Sequence, residues 1–126
     1  TTKLSQKVEV YHLGTILHLL LSRKKYPYIS SIEKKDGQSF YKIEGRDNCD
    51  ALYNEADVSK KIQKLIAHGE RPSLPLEILQ IANDPAIEAI VRARDAAMTY
   101  DVNKRPRARK VANILIEATS KLLSNE

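Results

Sequence analysis

The sequence predicts a mainly α-helical protein, and three observations carry that expectation. The stretch from Val8 to Ser22 is apolar nearly all round: Val8, Tyr11, Ile16 and Leu19 lie on helical faces that Val10, Leu13, Leu17, Leu20 and Leu21 do not cover. Three later stretches repeat apolar residues at helical spacing, with capping residues at their ends. The best strand-like run, Phe40 to Ile43, is short and has no obvious partner.

The first helix is expected over about residues 6–23. Its apolar run is about fifteen residues, holds Glu9, His12 and His18, and falls short of the roughly 20 residues a membrane span needs. It therefore reads as a buried helix. Gly14 costs about 1 kcal/mol in a helix interior relative to Ala, so its use is close approach by a neighbouring element. Arg23, Lys24 and Lys25 suit the negative end of the helix dipole, and Pro27 stops the helix.

Residues 26–54 read as a long variable loop with an exposed turn at Ser30 to Gly37. Tyr26 and Tyr28 flank Pro27 and are expected to pack against the first helix, the alternative being an exposed aromatic anchor for a partner. A second helix is expected over about 56–68, with Val58, Ile62, Leu65 and Ile66 inward and Lys60, Lys61 and Lys64 outward. Gly69 supplies its C-cap, and the extended Arg71 to Pro75 follows. A short helical turn is placed at Leu76 to Ala82.

A third helix, about 84–99, has Asp84 as N-cap, Pro85 at the first position and Glu88 in the first turn. Ile87, Ile90, Val91, Ala97 and Met98 form its apolar face. A fourth, about 108–123, turns Val111, Ile114, Leu115, Ala118, Leu122 and Leu123 inward.

The 126 residues fit one domain, and 42% apolar with 29% charged residues is an ordinary globular composition. One cysteine, Cys49, excludes an internal disulfide framework, so an intracellular location, cytoplasmic or nuclear, is expected, with no membrane association. No signal peptide is visible. The only methionine is Met98, so the chain is not expected to begin at its own translation start. A net charge of +5 permits acidic partners without requiring them.

In order, these elements resemble the C-terminal part of a eukaryotic-type protein kinase domain. Val10-Tyr11-His12-Leu13-Gly14 is similar to the Asp-Val-Tyr-Ser-Leu-Gly pattern of the family's F helix, with Glu9 at the aspartate position. Gly69 to Pro75 is similar to the link after the G helix. Asp101-Val102-Asn103-Lys104-Arg105-Pro106 resembles the Asp-Pro-x-x-Arg-Pro motif before the I helix. The resemblance covers about residues 3–123. It implies a partial kinase-like C-lobe, with Glu9, Gly14, Asp101, Arg105 and Pro106 as its structural motif residues.

The family's phosphoryl-transfer apparatus comprises a Gly-rich loop, a strand lysine, a catalytic aspartate and a metal-binding aspartate. None of G-x-G-x-x-G, His-Arg-Asp, Asp-Phe-Gly or a phosphate-loop motif occurs here. The resemblance thus implies no catalytic, cofactor or metal residue in this chain and no activity of the chain alone. ATP and Mg would belong to a complete active parent, and the remainder of the kinase domain would be its first partner. Lys60, Lys61 and Lys64 would form a docking surface for a protein substrate or regulator.

Two departures matter. Glu9 is one methylene longer than aspartate and displaces the acceptor by about 1 Å, a misplacement of costly size in catalysis. Active parent and pseudokinase both stay open. The family also pairs the arginine at Arg105 with an Ala-Pro-Glu carboxylate that this sequence lacks, leaving Arg105 solvated, bound to another carboxylate, or buried at a cost.

Five cations in seven residues, from Lys104 to Lys110, include Arg107, Arg109 and Lys110 and oppose the dipole of the following helix. They read as a solvated helix end, or as an import signal or anion-binding patch. Nucleic acid is disfavoured, because neither exposed aromatics nor a recognition helix is evident. His12, His18 and His68 lack metal-ligand spacing, and Cys49 lies among acidic neighbours that disfavour a thiolate. The alternative to the kinase reading is a freestanding basic helical module that binds protein or nucleic acid. A kinase fragment is expected to expose the N-terminal half of the first helix and to pack Ile16 to Leu21, whereas burial from Val8 onward marks the freestanding module.

Overall fold

The computed structural model describes residues 3–23, 26–44 and 51–124, with the side chains of Lys3 and Leu4 left aside. The element order is α1 (Lys3–Ser22), β1 (Ile29–Lys35), β2 (Gln38–Ile43), α2 (Glu55–Ala67), α3 (Leu76–Gln80), α4 (Pro85–Ala97) and α5 (Ala108–Ser124). The chain is mainly helical, as its sequence predicts. It divides into two compact units, residues 26–73 and the remainder.

In the larger unit α4 packs against both α1 and α5. Its start follows the sequence chemistry closely: Asp84 Oδ1 accepts from the Ala86 and Ile87 amides at 2.9 and 3.3 Å, with Pro85 in the first turn. An exposed i,i+4 pair, Glu88 with Arg92 at 3.4 Å, adds at most a few tenths of a kcal/mol. The buried seam of α4 is Ala89, Ala93 and Ala97, whereas Ile87, Ile90 and Val91 are only half-buried. Of the expected apolar face, Ala97 and Met98 are buried and Ile90 packs against the core, whereas Ile87 and Val91 stay half-buried.

α1 comes close to the end of α4 at Gly14. A Cβ placed there would lie 2.5 Å from Met98 Cγ, 2.9 Å from Ala97 Cβ and 3.1 Å from the Met98 amide nitrogen. The close-approach role expected of this glycine is therefore met by the C-terminal end of α4. Around the crossing, Val10, Leu17, Ala93, Ala97 and Val111 form the core, with Leu13, Ile90, Ile114 and Leu115 packed on it.

α1 is not divided into an exposed first half and a packed second half. Val10, Leu17 and Leu21 are buried, whereas Val8 is 64%, Ile16 47% and Leu20 63% exposed. Burial follows the helical period, because α4 and α5 cover one face along the length of α1. Neither the expected half-and-half pattern nor full burial from Val8 describes it. α5 departs similarly: Val111 is buried, but Leu122 and Leu123 are exposed. Its C-terminal end has no covering element among the described residues.

One buried polar chain crosses this core. Arg94 Nη1 donates to His18 Nδ1 at 3.0 Å, and Arg94 Nε and Nη2 donate to Asp95 Oδ1 at 3.0 and 2.6 Å. Arginine has no acceptor, so His18 must offer a bare Nδ1.

The smaller unit replaces much of the expected loop. β1 and β2 pair antiparallel, from Lys35 opposite Gln38 to Ile29 opposite Ile43, with a register irregularity between Ile29 and Ser31. Asp36 and Gly37 turn the hairpin with φ of 51° and 78°. Positive φ at both central residues matches the right-handed twist of the strands. Tyr53 adds a bridge to Tyr41 through reciprocal amide–carbonyl bonds of 2.8 and 2.9 Å.

α2 packs against β2. Asn54 caps its start, Oδ1 accepting from the Asp57 amide at 2.8 Å, and Gly69 follows its end at φ 78°. Val58 is buried, and Lys60, Lys61 and Lys64 are exposed, as expected. The Tyr28 hydroxyl donates to the Glu70 carbonyl at 2.6 Å, and the residue's own carbonyl accepts from the Glu44 amide at 3.0 Å. Cys49 and its acidic neighbours lie outside the described residues.

Replacing Gly14 tests the crossing. Ala at a helical glycine ordinarily gains about 1 kcal/mol, whereas overfilling a packed contact costs about 1–3 kcal/mol. Gly14→Ala is expected to lower stability by about 1 kcal/mol in urea denaturation, and Gly14→Val by more. A stabilised alanine variant would refute the close approach.

Candidate functional site

The residues of the Asp101 to Pro106 motif build an ordered turn between α4 and α5. Asp101 Oδ1 accepts from the Asn103 amide at 2.9 Å, and its backbone carbonyl accepts from the Lys104 and Arg105 amides at 3.0 and 2.9 Å. The side-chain acceptor and the helical turn together aim Arg105 inward, and Pro106 ends the turn ahead of α5.

Arg105 is 7% exposed, and its guanidinium is spread over three backbone carbonyls. Nε donates to Thr99 at 2.7 Å, Nη1 to Lys7 at 2.7 Å and Nη2 to Tyr100 at 2.9 Å. The guanidinium also lies over the Tyr11 ring, 5.0 Å from its centroid. Lys7 returns the contact, its Nζ donating to the Arg105 carbonyl. Desolvation pulls the guanidinium below its ordinary pKa, with Tyr11 and Asp101 opposing the shift. It stays charged all the same, because a guanidinium does not give up its proton in a protein.

Of the three states the sequence left open for Arg105, burial is the one observed. The expected cost is offset in a way the sequence did not disclose. Carbonyl oxygens at the end of α4 and in α1 take the place of a carboxylate, so Arg105 ties α1 to the turn before α5. It is a structural tie rather than a reactive group.

Next to this tie lies a cleft of about 680 Å³. Glu9, Val10 and Leu13 of α1 form one wall, and Val102, Arg107 and Arg109 contribute another. Glu9 is exposed there, and Arg107, Arg109 and Lys110 are exposed at the start of α5. α5 has no acidic residue in its first turn. The structure thus brings Glu9 and the basic cluster to one cleft, a juxtaposition of residues about a hundred positions apart that spacing alone does not reveal. Gly14 stands apart from them, beneath α4.

Lys60, Lys61 and Lys64 gather separately on α2. With Tyr53 and Asp57 they line a shallow depression of about 200 Å³, and Lys61 Nζ lies 5.9 Å from the Tyr53 ring centroid. Among the described residues no group of three or more His, Cys, Asp or Glu side chains is placed to hold a metal ion. No helix among them is long and apolar enough to cross a membrane.

Lysine in place of Arg105 has a single ammonium that cannot reach three divergent carbonyls. Leaving buried acceptors unpaired costs about 1–3 kcal/mol. Arg105→Lys is therefore expected to lower unfolding stability by about 2 kcal/mol, read by urea titration. Stability equal to the parent would show that the three bonds contribute nothing.

No protein-family model matches the chain, and neither curated proteins nor solved structures return a match to it.

Proposed function

We propose that this chain is the lower helical part of a protein kinase-like catalytic domain, with a structural and recruiting role and no phosphoryl transfer of its own. The observation that carries the reading is at Arg105. The residue that the motif resemblance marks is drawn inward by the Asp101 turn and binds the helix that bears Glu9 and Gly14. Gly14, the glycine of the first motif, faces the end of the helix before that turn with no room for a Cβ. Two motifs far apart in sequence thus serve one packing arrangement, which supports reading them together.

In the complete domain α1 would anchor the catalytic elements, and ATP with Mg would bind elsewhere. Glu9 would stand where the family uses aspartate to hold its catalytic loop. Its extra methylene keeps the pseudokinase form of the proposal beside the active one. The exposed Lys60, Lys61 and Lys64 face of α2 would receive an acidic substrate or regulator. The β1–β2 hairpin lies outside the motifs that carry the resemblance.

The second reading, a freestanding basic helical module, draws on a different observation. Arg105 finds all three of its carbonyl partners within this chain, and the larger unit has its own buried core. Those contacts, made within the described residues, support independence.

The isolated chain is expected to show no thermal shift with Mg-ATP and no ATP-dependent phosphorylation of generic substrates. A reproducible shift with Mg-ATP would overturn the inventory of missing motifs. The two readings part at the gene: Gly-rich, His-Arg-Asp and Asp-Phe-Gly motifs in the reading frame upstream of Thr1 support the kinase domain. A short gene that opens immediately before Thr1 refutes it.

A further inference from the structure

The cleft beside the Arg105 tie joins two features that ordinary surface does not combine. Its floor is apolar: Val10 is buried and Leu13 and Val102 are half-buried, all three lining the space. Its rim is cationic, with Arg107 and Arg109 exposed and Lys7 half-buried. At about 680 Å³ it falls within the roughly 300–1,000 Å³ range of clefts that enclose a short ligand. One carboxylate, Glu9, shares the lining, so the three rim cations leave a local excess of positive charge.

We propose that this cleft docks a short acidic peptide segment of a separate protein, with an apolar side chain seated over Val10, Leu13 and Val102 and flanking carboxylates on Arg107 and Arg109. Charge complementarity selects the occupant. The rim cations attract carboxylates, and the apolar floor requires a side chain that phosphate or a nucleic-acid backbone does not carry. Arginine suits the task because its planar fork matches a carboxylate bidentately. Glu9 sets the register by repelling a ligand carboxylate placed against α1. The inference rests on the cleft of the chain as it stands and on the freestanding reading, since in a complete kinase-like domain Glu9 would face the catalytic loop instead.

The test uses the full chain and a dye-labelled peptide of alternating glutamate and leucine, followed by fluorescence anisotropy. Saturable binding is expected, weakened about five-fold or more by the double variant Arg107→Gln with Arg109→Gln. Glu9→Gln is expected to strengthen it, since a repulsive carboxylate is removed. Val102→Lys separates the two components: it adds a cation but spoils the floor, so binding should weaken. Binding that rises in Val102→Lys, or that is equalled by an all-glutamate peptide, overturns the proposal in favour of a diffuse basic surface. Tighter binding of a single-stranded oligonucleotide of equal charge overturns it in favour of nucleic acid. Absence of saturation, or indifference to the Arg107 and Arg109 changes, also overturns it. Should Val102→Lys fail to fold by circular dichroism, the all-glutamate peptide and the exposed Arg107 and Arg109 variant decide the matter.

Discussion

The close crossing of α1 and α4 at Gly14 is the constraint from which the rest of the larger unit follows. A glycine without a Cβ lets the end of α4 come within a distance that any other residue would block. That closeness selects alanines for the facing line, since Ala93 and Ala97 are wholly buried where a larger side chain has no room. With those two helices held together, Val10 and Leu17 meet Val111 of α5, and the small core closes. The helix-propensity cost of Gly14 is thus recovered as packing, which in a close-packed interior is sensitive to a single methyl group.

Arg105 secures the same arrangement from its other end. A buried guanidinium usually calls for a carboxylate, because an uncompensated charge is costly to desolvate. Here three carbonyl dipoles and an aromatic face share that task. The choice of acceptor has a geometric consequence. The Thr99 and Tyr100 carbonyls lie just beyond α4, whereas the Lys7 carbonyl belongs to α1, so one side chain fixes both against the approach to α5.

The capping and turn chemistry was legible residue by residue. Asp84, Asn54 and Gly69 act locally, through backbone groups within a few positions, and sequence proximity guarantees their geometry. Asp36-Gly37 is equally legible as a turn, and in the structure it is the two-residue turn of the β1–β2 hairpin. The signal was present: an Asp-Gly pair is a strong hairpin cue. It was obscured because the strands are polar and short, Ser31, Glu33 and Lys34 giving β1 no apolar alternation to recognise. Glu9 and Arg107, by contrast, share a cleft through packing alone, and nothing in their spacing announces it.

By itself, then, the sequence determined the helical class, the positions of α2, α4 and α5 to within a residue or two, the outward face of Lys60, Lys61 and Lys64, and a need for close approach at Gly14. These depend on periodicity and on local hydrogen bonding, which are written in neighbouring residues. Only the tertiary structure decided which face of the apolar α1 is covered, that Leu122 and Leu123 lie exposed, that Ala93 joins Ala97 in the core, and that Arg105 rests on carbonyls. A helix apolar on every side carries no record of which side its partners will take. That is settled by distance between helices, and in this protein the distance is set at one glycine.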